Sequence, residues 1–406
     1  MMDVDSLLVK AGQLYSKCLD GYSELMPDIV KCRRRVYGQN ELLFKTLSLK
    51  LLLWAPFFFM RKPPKYIFQG LRHQGLIEAL PASEVMVLGG RGEFLYCLKR
   101  GCKFHWIGYV SKAFELYYWG GKRGAFLSAV CLIRKMFNAQ DGNKRYLFLW
   151  EDTLPTGVVL STVLDSMPKL SIVCVAHGIF PEYKEQAVSP EGESCQFNFV
   201  WSSSQQKIFK ERRYPSTFVL GLPYEVRVPQ KTSRKVVLIG HCGPSSGMTE
   251  YLYALYVFRK IFIALYDAGF EVEYRPHPQE PVDFIPEAFP SLCLENKMEM
   301  LSSERRLYIG FASTLMYEAR QFGNLVVALD TSDLLYQINF EVDAVISPVD
   351  YDQVPEIVSR LFDDGYINID EANYQSLSVR FDGCLKQVDE HATLLLERGG
   401  QRLGEV

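Results

Sequence analysis

The chain has 406 residues, 48% of them hydrophobic and 23% charged, with a formal net charge of −2 at pH 7. That length exceeds one comfortable hydrophobic core and suits two domains. The composition excludes a disordered chain, and the near-neutral charge gives no electrostatic ground for nucleic acid as a partner.

Ten cysteines are spread singly and none has C-x-x-C spacing, the pattern expected of reduced, packed thiols in a cytoplasmic protein. Met1 to Asp5 is polar and lacks the apolar core of a signal peptide.

Residues 1–80 read as a helical lead-in, with Leu7, Leu8, Ala11, Leu14 and Tyr15 at helical spacing. The apolar run Leu51 to Met60 is flanked by Lys50 and Arg61-Lys62. It is far shorter than the roughly 20 residues of a spanning helix. Two readings of 50–65 stay open: an interfacial anchor at the inner membrane's cytoplasmic face, or a helix packed on the first sheet.

From Val85 the rhythm changes. Val85 to Leu88 is a strand, Gly89-Gly90-Arg91-Gly92 a turn and Glu93 a helix start, the pattern of a first βα unit. Phe104 to Val110 reads as the second strand. The third, Tyr146 to Trp150, ends in Glu151-Asp152-Thr153. Carboxylates at the carboxyl end of a strand suit a general base or a nucleophile, so Glu151 and Asp152 are catalytic candidates. Asp152 equally suits the N-cap of a helix from Pro155. The next strand, Ser171 to Ala176, ends in His177-Gly178, and His177 is a third candidate, as a base or a donor-binding group. Phe197 to Trp201 and Phe218 to Pro223 complete the first domain.

A polar linker, Glu225 to Arg234, precedes the strand Lys235 to Gly240 and a Gly/Ser-rich loop. Gly240, Gly243 and Ser245 there allow backbone N–H groups close to a phosphate. The strand Phe270 to Arg275 halts at Pro276-His277-Pro278. A later strand, Tyr308 to Phe311, leads into Ser313-Thr314, where a helix opens with Glu318 one turn in. Helix N-termini at strand ends suit an anionic phosphate. Arg275, His277, Pro278, Ser313, Thr314 and Glu318 are therefore the nucleotide-binding candidates, with Glu318 on the ribose hydroxyls. Terminal helices follow from residue 366.

The His-Pro at a strand end, the Ser-Thr turn and the earlier Glu-Asp pair together resemble bacterial glycosyltransferases of the GT-B fold. The nearest resemblance is to those using CMP-activated ulosonic acids: sialyl-, polysialyl- and Kdo transferases. Thr153 stands where that family usually has glycine after the acidic pair. The resemblance implies an α/β architecture of two Rossmann-like domains facing a cleft, with an N-terminal helical lead-in and C-terminal helices. The expected divisions are 1–80, an acceptor domain at 81–228, a nucleotide-sugar domain at 229–365, and helices at 366–406 crossing back to the first domain. It also implies metal-independent transfer from a CMP-sugar donor, without a cofactor, to a lipid-linked or oligosaccharide acceptor of lipopolysaccharide or capsule. His277, Ser313 and Thr314 would bind the CMP phosphate and cytidine. His177-Gly178 and the basic flanks of 50–65 also resemble CDP-glycerol polymerases. Two alternatives stand beside the first reading: a CDP-polyol phosphotransferase and a non-catalytic scaffold.

Overall fold

The computed structural model describes residues 6, 9–16, 63–137, 143–150, 152, 154–165, 167, 169–176, 178, 182–183, 194–211, 214–240, 248–278, 280, 289–311, 313–331, 336–337, 340–365 and 375–402. The apolar run 51–60 lies outside them. Among the described residues no helix is long and apolar enough to cross a membrane.

Short runs of apolar and aromatic residues form parallel strands, the central ones buried on both faces because helices cover each side of the sheet. In the first unit these are β1 (Tyr66–Gln69), β2 (Val85–Gly89), β3 (Lys103–Trp106), β4 (Arg145–Leu149), β5 (Leu170–Val175), β7 (Phe197–Val200) and β8 (Ser216–Val219). They pair in the order β3-β2-β1-β4-β5-β7-β8, parallel throughout. This is a doubly wound, Rossmann-like sheet whose winding reverses between β1 and β4.

Two expectations need correction here. The lead-in over 1–80 contains β1, so the strand at Val85 is the second of the sheet and β1 is its centre. Four residues buried on both faces, Tyr-Ile-Phe-Gln, carry neither alternation nor length as a signal. The strand expected over 104–110 stops at Trp106, because a helix starts at Gly108.

The first unit comprises Met1–His177, Ser189–Tyr224 and Ser376–Val406. Its last piece is helix Leu377–Arg402, here called the closing helix. Phe381 on this helix is 1% exposed. Its ring lies 5.3 Å from that of Phe148 and 6.2 Å from that of Phe199. Burying one such side chain contributes roughly 1.5–3 kcal/mol. Arg380 beside it donates to the carbonyls of Leu220 (2.6 Å), Leu222 (2.9 Å) and Tyr224 (3.2 Å). Gly221 takes a positive φ of 76°, and a Cβ there would lie 2.7 Å from the Arg380 guanidinium. The loop after β8 is thus shaped around one arginine.

The second unit comprises Gly178–Val188 and Glu225–Gln375. Its strands are β9 (Thr232–Ile239), β10 (Glu271–Arg275), β11 (Arg305–Gly310), β12 (Leu325–Leu329) and β14 (Ala344–Ile346). They pair in the order β10-β9-β11-β12-β14, again all parallel. Counted within the unit this is the order 2-1-3-4-5, with the reversal between β9 and β11. Helix Met248–Asp267 packs Phe258 and Phe262 onto the sheet. Tyr274 stacks on Phe289 with ring centres 3.9 Å apart. Two short strands, β6 (Glu182–Tyr183) and β13 (Tyr336–Gln337), pair antiparallel, so the stretch after β5 is taken up by the second unit. The expected α/β class with two Rossmann-like sheets is what the chain forms.

Candidate nucleotide-binding site

In a doubly wound sheet the two loops flanking the reversal diverge, which leaves a crevice at the carboxyl ends of the strands. In the second unit three adjacent strands, β10, β9 and β11, are followed within three residues by His277, Gly240 and Ser313 respectively.

The His277 turn is locked to the end of β9. Glu280, only 5% exposed, accepts the Tyr274 hydroxyl at Oε1 (2.7 Å) and the His277 backbone N–H at Oε2 (2.8 Å). Burial, reinforced by the neighbouring Glu280 charge, holds the Tyr274 phenol far above its usual range. It therefore stays a proton donor to Glu280. Gly240 closes the lock. Its N–H donates to the Arg275 carbonyl (2.8 Å). A Cβ on it would lie 2.7 Å from Glu280 Oε2 and 2.8 Å from both the His277 nitrogen and the Tyr274 hydroxyl. All three of those atoms are hydrogen-bonded and one belongs to backbone, so only glycine fits without displacement.

On the other side of the reversal, Ser313 is the N-cap of helix Thr314–Gln321, and its hydroxyl accepts the Leu315 N–H at 3.3 Å. The helix start carries partial positive charge and backbone donors. Gly310, at the end of β11, lets that strand run close to β9. A Cβ there would meet Ile239 Cβ at 3.3 Å. Gly178 approaches Thr314, since a Cβ on it would lie 2.7 Å from the threonine hydroxyl.

The other expected residues have different neighbours. Glu318, 3% exposed, is paired with Lys297 at 2.9 Å rather than presented to a ligand. The Arg275 guanidinium donates to the carbonyls of Glu295 (2.7 Å) and Cys293 (3.3 Å), and so ties down that stretch. Pro278 is exposed. Gly243, Ser245, Glu151 and His177 lie outside the described residues. Glu280 and Tyr274 escaped the sequence reading; the signal was a carboxylate three residues past His277, a spacing that returns a side chain to its own turn.

In the first unit the reversal lies between β1 and β4. Gly70, with φ of 69°, follows β1, and its Cβ position is 3.6 Å from Trp150 Nε1 and 4.0 Å from Glu93 Oε1. Glu93 also caps its helix by accepting the Gly90 N–H at 2.8 Å. Gly70, Glu93 and Trp150 therefore gather at that crevice. Asp152 does not open onto it as a base would. It is 2% exposed, and Oδ2 accepts the backbone N–H (3.0 Å) and hydroxyl (2.7 Å) of Ser194.

No protein-family model matches the chain, and no curated protein does. Among solved structures, a glycosyltransferase from Rickettsia africae is similar at 9% identity and a TM-score of 0.46, over 78% of this chain and 92% of that one. The wall teichoic acid polymerase TagF (H548A) is similar at 9% identity and a TM-score of 0.44, over 86% and 100%. The spinosyn forosaminyltransferase SpnP follows at 14% identity and 0.41, over 78% and 93%.

Proposed function

We propose that the chain is a glycosyltransferase whose second unit binds a cytidine-nucleotide donor. One observation carries the reading: Gly240, the His277 turn and the Ser313-Thr314 helix start lie at the ends of three adjacent strands, astride the reversal of a 2-1-3-4-5 sheet. Backbone N–H groups and the helix dipole suit the phosphate, and the His277 ring supplies a further donor. As the glycosidic bond to phosphate breaks, charge builds on the departing nucleotide, and preorganised donors stabilise it. The sequence resemblance narrows the donor to a CMP-activated ulosonic acid of the Kdo or sialic type. The acceptor class, a lipid-linked or oligosaccharide surface glycan, belongs to the same proposal.

For the base that takes the acceptor proton, the proposal keeps Glu151 and His177, which follow β4 and β5 in sequence. Asp152 becomes an anchor, because its carboxylate is buried and doubly bonded to Ser194.

A second reading, a CDP-polyol phosphotransferase, is favoured by the packing of Gly178, the glycine of the His-Gly pair, against Thr314. Calorimetric titration with CMP, CDP, UDP and GDP, on the wild type and His277→Ala, separates the two. Selective CMP binding lost in the variant supports the ulosonic-acid reading, and a preference for CDP supports the polyol reading. Preference for UDP or GDP sinks the cytidine assignment. If no nucleotide binds, the transferase proposal fails in favour of a scaffold.

A further inference from the structure

Three chain segments of the first unit bring metal-ligating atoms to one buried point. Asp152 comes from the turn after β4, Cys174 from β5, and Cys195 from the approach to β7. One ligand atom of each, a carboxylate oxygen and two sulfurs, lies within 4.8 Å of the other two. The three residues are 2%, 3% and 3% exposed. We propose that they form a binding site for a thiophilic divalent cation of the Zn²⁺ or Cd²⁺ type. The proposal is independent of the nucleotide site, which lies in the other unit.

The chemistry of the set selects the ion. Two thiolates and one carboxylate suit a soft or borderline cation and reject Mg²⁺ or Ca²⁺, which take oxygen shells. Bond lengths of about 2.3 Å to sulfur and about 2.0 Å to oxygen place tetrahedral ligand atoms roughly 3.5–3.8 Å apart. The observed limit of 4.8 Å lies about 1 Å beyond that separation. Binding releases two thiol protons to solvent and leaves two thiolates and a carboxylate around a dication, a net charge of −1. A water completes the fourth position.

The surroundings also fit. The Ser194 N–H (3.0 Å) and hydroxyl (2.7 Å) both donate to Asp152 Oδ2, and the Ser161 Oγ lies 3.0 Å from the Ser194 Oγ. Ligating carboxylates are commonly held this way by a further layer of hydrogen bonds. An ion here would tie together three segments that no disulfide joins, since neither Cys174 nor Cys195 forms one. The competing explanation is that the thiols only donate S–H bonds to a buried carboxylate. That arrangement binds no cation.

The test uses the full chain, stripped with chelator, kept reduced and titrated with Cd²⁺. The expected result is stoichiometric uptake with a sulfur-to-cadmium charge-transfer absorption and a rise in melting temperature. Cys174→Ser and Cys195→Ser should lose the absorption. Asp152→Asn should weaken binding by removing a charged ligand, and the exposed Cys131→Ser should change nothing. Absence of the charge-transfer band in the reduced wild type overturns the proposal, whether or not any variant folds. Persistence of the band in the Cys174→Ser/Cys195→Ser double variant overturns it as well.

Discussion

Glu280 holds two donors with one carboxylate, the phenol of Tyr274 and the backbone N–H of His277, and it does so out of water. Removing it leaves both donors without that acceptor in a site already crowded by Gly240. Glu280→Ala should therefore cost about 1–3 kcal/mol in urea unfolding. It should also weaken nucleotide binding about tenfold, because the turn carrying His277 loses its anchor, an effect of roughly 1.4 kcal/mol. Glu280→Gln keeps one carbonyl oxygen and should fall between. If calorimetry shows equal nucleotide affinity in wild type and Glu280→Ala, the anchor has no part in binding. His277 was legible in sequence because two prolines end its strand. Glu280 was not, since its role shows only once the backbone folds the turn back on β9.

At the scale of elements, the closing helix, last in sequence within the first unit, packs onto that unit's sheet. Phe381 sits against Phe148 and Phe199, Arg380 gathers three carbonyls after β8, and the Tyr146 hydroxyl donates to Asp389 at 2.6 Å. Phe381→Ala should destabilise the first unit by about 3–5 kcal/mol, read as a fall in the unfolding midpoint with unchanged slope. A midpoint within error of wild type would show that the helix merely rests on the sheet. The terminal helices were readable from sequence as helices. Strand β1 was not, although it is the centre of its sheet, because its four residues present no polar face. Strands β2, β4, β5, β9, β11 and β12 were readable because each carries an apolar run ended by Gly or a polar turn, and β10 because Val272 and Tyr274 alternate with charged residues up to Pro276. Asp152 shows the limit of such reading. Its position after a strand was correctly seen, but the partner that buries it, Ser194, lies 42 residues away.

Across the whole molecule, the thiols report on burial. Burial pushes the Cys97 thiol up to about 11, with Cys102 and Glu93 adding, and the Cys384 thiol up to about 12 against the lowering effect of Arg380. The thiolate is the reactive form, and at pH 8 a pKa of 11 leaves about one thiol in a thousand ionised. Cys131 is exposed. Alkylation followed by peptide mass spectrometry should therefore label Cys131 first among the described cysteines, and faster as pH rises from 7 to 9. Cys97 and Cys384 should react only on unfolding. Early labelling of Cys384 would place the closing helix off the sheet in solution.

The position of that helix in the chain also bears on synthesis. The first unit's strands leave the ribosome before the second unit, yet residues 377–402, which pack on its aromatic face, leave after it. The second unit is complete some residues earlier, at Gln375. Domains ordinarily fold from the N-terminus as they emerge. Here the order is inverted: the unit begun first is finished last. Phe148, Phe199 and Phe218 lack their contacts with Phe381 and His391 until the closing helix has followed the whole second unit out of the ribosome.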